Sequence, residues 1–190
     1  MTAGTEHGSE TVLTTERLVV RQWTVADQER AFDIYSRWEV AQWLGRTPRA
    51  LAHPEEARRY IEHCRERSTG PRYGVWAVER RDTGVVAGAV LLLPVPDADG
   101  DGDGDGEVEI GWHLHPDSWG QGFATEAARA VLAKGFADGL TEIRALLAPD
   151  NTRSAAVCRR LGMTGTGMTD SWYGRQMAEF RIGPARGEQA

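Results

Sequence analysis

At 190 residues the chain is long enough for one domain with a core of its own, and 41% hydrophobic with 26% charged residues is the balance of an ordinary globular protein. No apolar run approaches the length of a membrane span, and the N-terminus has no basic start followed by an apolar core, so neither a membrane segment nor a secretory leader is expected and a cytoplasmic setting fits. A net charge of −6 argues against general nucleic-acid binding and is compatible with cationic partners, while two cysteines, Cys64 and Cys158, supply neither a disulfide framework nor a metal-ligand spacing.

Residues 1–13 are small, polar and aperiodic and read as a tail, as do 184–190; a single domain is expected over 14–183. Arg17 to Trp23 reads as a first strand. Thr24 is placed to cap a helix, with Asp27 in the capping-box position, and helical spacing follows through Ala31, Ile34, Tyr35 and Trp38. Val40 to Leu44 continues as a short helix or turn, which Pro48 stops. Pro54-Glu55-Glu56 opens a further helix with proline first and acids in the first turn, running to about Arg67.

Tyr73 to Glu79 and Val85 to Leu93 form a predicted hairpin around Arg81-Asp82-Thr83-Gly84. The stretch 97–106, DADGDGDGDG, is low in complexity and reads as a flexible acidic loop. A calcium loop would need an acid at its twelfth position; starting from Asp97, Asp99 or Asp101, that position is Val108, Ile110 or Trp112. Glu107 to His115 is the next strand, with unlike faces. Val108, Ile110, Trp112 and Leu114 form one, and Glu107, Glu109, Gly111, His113 and His115 the other. Carboxylates and imidazoles on one strand face point to solvent or a cleft.

The turn after it, Trp119-Gly120-Gln121-Gly122-Phe123-Ala124-Thr125, has small residues at 120, 122 and 124 and leads into a helix to about Phe136. The free N–H groups of Gly122 to Thr125 at such a helix start suit a pyrophosphate without a basic side chain. A P-loop would need Gly-Lys-Ser/Thr, which does not follow, and a dinucleotide fingerprint fails because Thr125 stands where its third glycine belongs. Thr141 to Ala148 is a strand, Asn151 caps a helix to about Arg160, Gly162 ends it, and Met163 to Met168 with Gln176 to Ile182 make a final strand pair. The order of elements gives an α+β or α/β fold with a mixed, mostly antiparallel sheet flanked by helices.

Gly122 and Ala124 match the acetyl-CoA motif Gln/Arg-x-x-Gly-x-Gly/Ala of the GNAT (GCN5-related) N-acetyltransferases, with Trp119 where Gln or Arg is usual. The wording WGQGFATEA resembles the RimJ/RimL-like branch. Asn151 to Met163, NTRSAAVCRRLGM, is similar to the family's second signature, an Asn followed by a helix ending in Lys/Arg-x-Gly-Phe. The resemblance covers about Leu13 to Ile182. It implies a GNAT-like fold and transfer of an acetyl group from acetyl-CoA, with no metal, directly to a primary amine, either a protein N-terminus or a small cationic amine such as an aminoglycoside-type antibiotic. It also implies catalytic roles for Glu109 as base and Ser154 near the CoA sulfur. Cofactor contacts are implied for Trp112, His113 and Leu114 along the strand, Gly120 to Thr125 (including Gln121 and Phe123) at the turn, and Asn151 and Ser154. Glu107, His113 and His115 are further candidates for the base. Many family members place a Tyr donor where this chain has Cys158, which leaves Ser154, Cys158 or water as proton donor. Among Tyr35, Trp38, Trp43 and Trp172, some are expected to line the acceptor cleft. A non-catalytic acyl-CoA-binding or sensor domain is the alternative from another class, with a nicotinamide oxidoreductase behind it. The sequence leaves the acceptor, the preferred acyl chain and the oligomer open, a homodimer being one option.

Overall fold

The apolar runs of residues 74–80 and 86–94 build the centre of a sheet covered on both faces. In the first of these strands Val75 and Ala77 pack against one layer of helices while Trp76 and Val78 pack against the other. The structure is a computed structural model, described for residues 10–68, 70–95 and 106–184. Its elements in chain order are β1 (Thr11–Thr14), β2 (Leu18–Arg21), α1 (Gln28–Tyr35), α2 (Trp38–Ala41), α3 (Pro54–Glu66), β3 (Gly74–Arg80), β4 (Val86–Pro94), β5 (Val108–Leu114), α4 (Phe123–Ala137), β6 (Ile143–Leu147), α5 (Thr152–Arg160), β7 (Thr164–Thr169) and β8 (Met177–Ile182). The eight strands lie in the order β1-β2-β3-β4-β5-β6-β8-β7. Neighbours are antiparallel except β5 and β6, which run parallel and register through Glu109 opposite Arg144.

Helices α4 and α5 lie over one face, where Leu18, Trp76, Ile110, Phe123, Val131 and Ile143 share a core. Helices α1 and α3 lie over the other with Trp23, Ile34, Tyr35, Ile61 and Leu93. The start of α3 follows its sequence signals: Pro54 is in the first turn, and the Glu56 carboxylate accepts from the Ala52 N–H at 2.7 Å. Its buried residues Ala57, Ile61 and Cys64 fall at helical spacing on one stripe. Ahead of α1, the Asp27 carboxylate accepts from the Thr24 N–H at 2.8 Å and the Thr24 hydroxyl at 2.9 Å, so the expected capping pair forms. Asp27 also takes a two-pronged ion pair from Arg21, both contacts 2.8 Å, and Arg21 reaches Glu79 at 2.6 Å.

Three expectations are corrected. Residues 11–13, read as the end of a tail, form β1 together with Thr14, because Leu13 pairs opposite Val20 and the Gln22 N–H donates to the Glu10 carbonyl at 2.9 Å. The strand expected over Arg17 to Trp23 shortens to β2. The helix expected through Trp38 breaks after Tyr35 and resumes as α2. Residues 1–9, 185–190 and 97–105 of the acidic loop lie outside the described residues. No helix among the described residues is long and apolar enough to cross a membrane.

Candidate active site

Gly122 is the hinge between strand and helix. Its φ of +83° is a left-handed conformation that only glycine adopts without strain, and it turns the chain into α4. The first helical hydrogen bond runs from the Glu126 N–H to the Gly122 carbonyl at 3.0 Å. The N–H groups of Phe123, Ala124 and Thr125 therefore have no partner within the helix. The Thr125 hydroxyl beside them is buried and unpartnered. This helix start opens on a cleft of about 1740 Å³ that continues along β5 and between the ends of β5 and β6. An anion is the ligand such a terminus suits, because the helix dipole and three convergent N–H groups act together.

The turn is braced from outside the motif. Arg17 donates to the Gln121 carbonyl at 3.0 Å and to Glu126 at 2.7 Å, and its guanidinium lies 4.9 Å from the centre of the Phe123 ring. Glu126 also accepts from Thr15 Oγ1 at 2.6 Å and the Arg17 N–H at 2.9 Å, so the β1–β2 connection is fastened to the first turn of α4. Trp119, the departure from the motif, donates its indole N–H to the Leu114 carbonyl at 2.8 Å and carries Arg153 over its ring at 4.4 Å. It ties the end of β5 to the turn and offers a cation at the mouth of the cleft.

The cleft brings together Glu109, Trp112, His113, Leu114, Gly120, Gly122, Phe123, Ala124, Thr125, Asn151 and Ser154, all singled out from the sequence. Gln121 is not among its lining residues; its side-chain amide donates to the Asp117 carbonyl at 2.8 Å. Beyond the Glu109–Arg144 pair β6 no longer lies beside β5, so the β5 edge from Ile110 to Leu114 faces the cleft. Asn151 caps α5, its Oδ1 accepting from the Ser154 N–H at 3.1 Å, and this fixes Ser154 at the rim.

Glu109 is 9% exposed, and its carboxylate accepts a hydrogen bond from the Tyr173 hydroxyl. Burial pushes this carboxyl up to about 7, against the opposing pull of the Tyr173 hydrogen bond and the charge of Arg67. Glu107 and His115, on the same strand face, go elsewhere. Glu107 is held by Arg144. His115 lies outside the cleft, 3.1 Å from Asp33 and accepting from the Asp117 N–H at 3.1 Å. His113 does line the cleft, edge-on to Tyr35 at 6.0 Å, but burial lowers its imidazole to about 4, so it is neutral and weakly basic at neutral pH. Cys158 sits in the core with its thiol pushed up to about 12 by burial, away from the cleft lining, and drops out as a proton donor. Among the aromatic candidates Trp43 lines the cleft. Tyr35 is buried and accepts from the Tyr60 hydroxyl at 2.6 Å, Trp38 is exposed, and Trp172 stands beside Arg144.

Three cleft residues carried no signal in the sequence. Tyr173, Arg175 and Arg67 reach the Glu109 end from the β7–β8 connection and the end of α3, and no local pattern marks those segments.

Comparison with known proteins gives the family. Residues 17–164 match the family model described as acetyltransferase (GNAT) domain. The uncharacterized N-acetyltransferase YoaA of Bacillus subtilis is 30% identical over 158 residues, which cover 83% of this chain and 85% of YoaA. A GNAT-family acetyltransferase from Bacillus anthracis superposes with a TM-score of 0.72 at 23% identity, covering 90% of this chain and 97% of that one. The ribosomal L7/L12 alpha-N-protein acetyltransferase RimL, solved in complex with coenzyme A, gives 0.72 at 16% identity and covers 92% and 98%. At those identities the two structures speak for the shared fold. The matched domain and the YoaA relative place the chain in the GNAT acetyltransferase family.

Proposed function

We propose that the protein transfers an acetyl group from acetyl-CoA directly to a primary amine, with Glu109 as the general base. The observation that carries this reading is a buried carboxyl near neutrality, set in a cleft whose other end is an unpartnered helix start. A base with a pKa near the working pH is suited to taking a proton from an amine.

Acetyl-CoA supplies the activated acyl group. The N–H groups of Phe123 to Thr125 hold its pyrophosphate, and the exposed edge of β5 over Trp112 to Leu114 aligns the pantetheine arm. The amine nitrogen attacks the thioester carbonyl; the C–N bond forms, the C–S bond breaks, and the amine proton passes to Glu109 directly or through water. Ser154 or a water gives a proton to the departing thiolate. The RimJ/RimL-like pattern of the turn and the RimL neighbour favour an α-amine as the acceptor, such as a protein N-terminus; a small cationic amine is the other member of the class.

An acceptor panel assayed for free CoA thiol tests this. Acceptor-dependent thiol release that Glu109→Gln abolishes supports it. Tight acetyl-CoA binding with no thiol release for any amine would instead make the protein a non-catalytic acyl-CoA-binding domain.

A further inference from the structure

The Glu109 end of the cleft has a charge character unlike that of the whole chain. Arg67, at the end of α3, and Arg175, two residues beyond Tyr173, come from segments far apart in sequence, line the same cleft as Glu109 and Tyr173, and both lie near enough to Tyr173 for their charge to act on it. Among the described residues neither guanidinium is within ion-pair distance of a carboxylate. Arg175 is steadied by its Nε–H donating to the Met177 sulfur at 3.2 Å, which leaves its terminal nitrogens free. The field of Arg67 is felt at both Glu109 and Tyr173.

These cations are poorly placed to serve the phosphates. Five residue steps of extended strand separate Glu109 from Leu114, about 17 Å, before the turn to the helix start is reached. That end has its own arginines, Arg129, Arg153 and Arg160. The cleft lining also carries the apolar side chains Val40, Leu44, Leu91, Leu93 and Met177. A guanidinium pair, a nearby acid and apolar walls describe a receptor for a zwitterion with an apolar body.

We propose that the acceptor is a small amine bearing a carboxylate, an amino acid or a close analogue, and that Arg67 and Arg175 hold its carboxylate while the amine faces Glu109. This deepens the acetyltransferase reading and rests on it. It also reverses the expectation of a cationic acceptor drawn from the net charge of −6, because recognition follows the local lining and not the total.

The test uses the full chain with acetyl-CoA and three matched acceptor sets: the common amino acids, their carboxamides, and the corresponding decarboxylated amines, with dipeptides alongside. The expected result is that at least one apolar amino acid has a kcat/KM tenfold or more above its own amide and amine. In Arg67→Met, Arg175→Met and the double variant that ratio should fall toward one. Arg67→Lys should keep part of it, and acetyl-CoA affinity by calorimetry should stay unchanged. The inference is overturned if amides, polyamines or dipeptides outrun the free amino acids, or if the arginine variants keep the ratio; the acetyltransferase reading then still stands. If no amine releases thiol, that reading fails separately. Calorimetry with N-acetyl amino acids and CoA then decides the arginine pair: binding that both arginine variants lose sustains the carboxylate site, and no binding overturns it.

Discussion

The hydroxyl of Tyr173 donates a hydrogen bond to the carboxylate of Glu109 across 64 residues of sequence. A buried carboxyl that would otherwise stay protonated is thereby given one stabilising donor, and its affinity for a proton is set by the balance of the two effects.

Tyr173→Phe removes that donor and leaves the burial. Hydrogen bonds to a charged group contribute about 1.5–3 kcal/mol, so the Glu109 pKa should rise by roughly one to two units. The acidic limb of the kcat/KM profile should move to higher pH by that amount, while the alkaline plateau stays within a few-fold. A limb that does not move would separate Tyr173 from the base.

Glu109→Gln should change how stability depends on pH. A carboxyl whose folded pKa is raised to about 7 from the ordinary 4.5 favours folding fully below the lower value, and that contribution is lost as pH rises through the upper one. The Gln variant should therefore gain on the parent protein between about pH 5 and 8, by at most roughly 3 kcal/mol. His113 acts with the opposite sign, losing its contribution as pH falls toward 4, but it is present in both proteins and cancels in the difference. Urea unfolding of the pair at a series of pH values reads this directly.

The helix start proposed for the phosphates was readable from the chain because it is made of backbone. Gly122 and Ala124 are there to permit a conformation and a close approach, and both requirements are local, so they leave a local signature. Glu109 was readable because alternation along β5 puts it on the cleft face. The same alternation offered Glu107 and His115 equally; what removed them were Arg144, on the neighbouring strand, and Asp33, on α1. Tyr173, Arg67 and Arg175 depend on where the β7–β8 connection and the end of α3 arrive in space, which no spacing in the sequence encodes. Strand β1 was missed for a related reason: TVLT is too short for its own pattern to show, and its pairing with β2 is what makes it a strand.

Asp27→Ala should be severely destabilising although it lies outside the cleft. It removes the two-pronged partner of Arg21, which is 7% exposed, and leaves a buried guanidinium with only Glu79 and the Gln22 carbonyl. Breaking a buried pair from one side costs about 3–5 kcal/mol. Thermal unfolding should show it as a large fall in Tm, and a variant within a few degrees of the parent would contradict the buried-pair account.

Gly122→Glu tests the helix start. The substitution forces a side chain into a left-handed backbone at a cost of about 1–2 kcal/mol and adds a negative charge where the phosphates would sit. Acetyl-CoA affinity by calorimetry should drop at least several-fold in a protein that still folds. Gly122→Ala controls for the strain, since its β-carbon would meet only the Arg17 guanidinium at 3.4 Å.

Whether Glu109 is the base for the transfer is read from the pH–rate profile of Glu109→Gln with acetyl-CoA and a turned-over amine. The substitution keeps the shape of the side chain and removes its basicity. With Glu109 as base, kcat should fall by roughly two to four orders of magnitude, the acidic limb near pH 7 should disappear, and acetyl-CoA affinity should be unchanged because the proposed phosphate contacts are backbone N–H groups. A near-normal kcat with the same acidic limb would contradict that role and leave Glu109 as a buried strand carboxyl with no part in the chemistry.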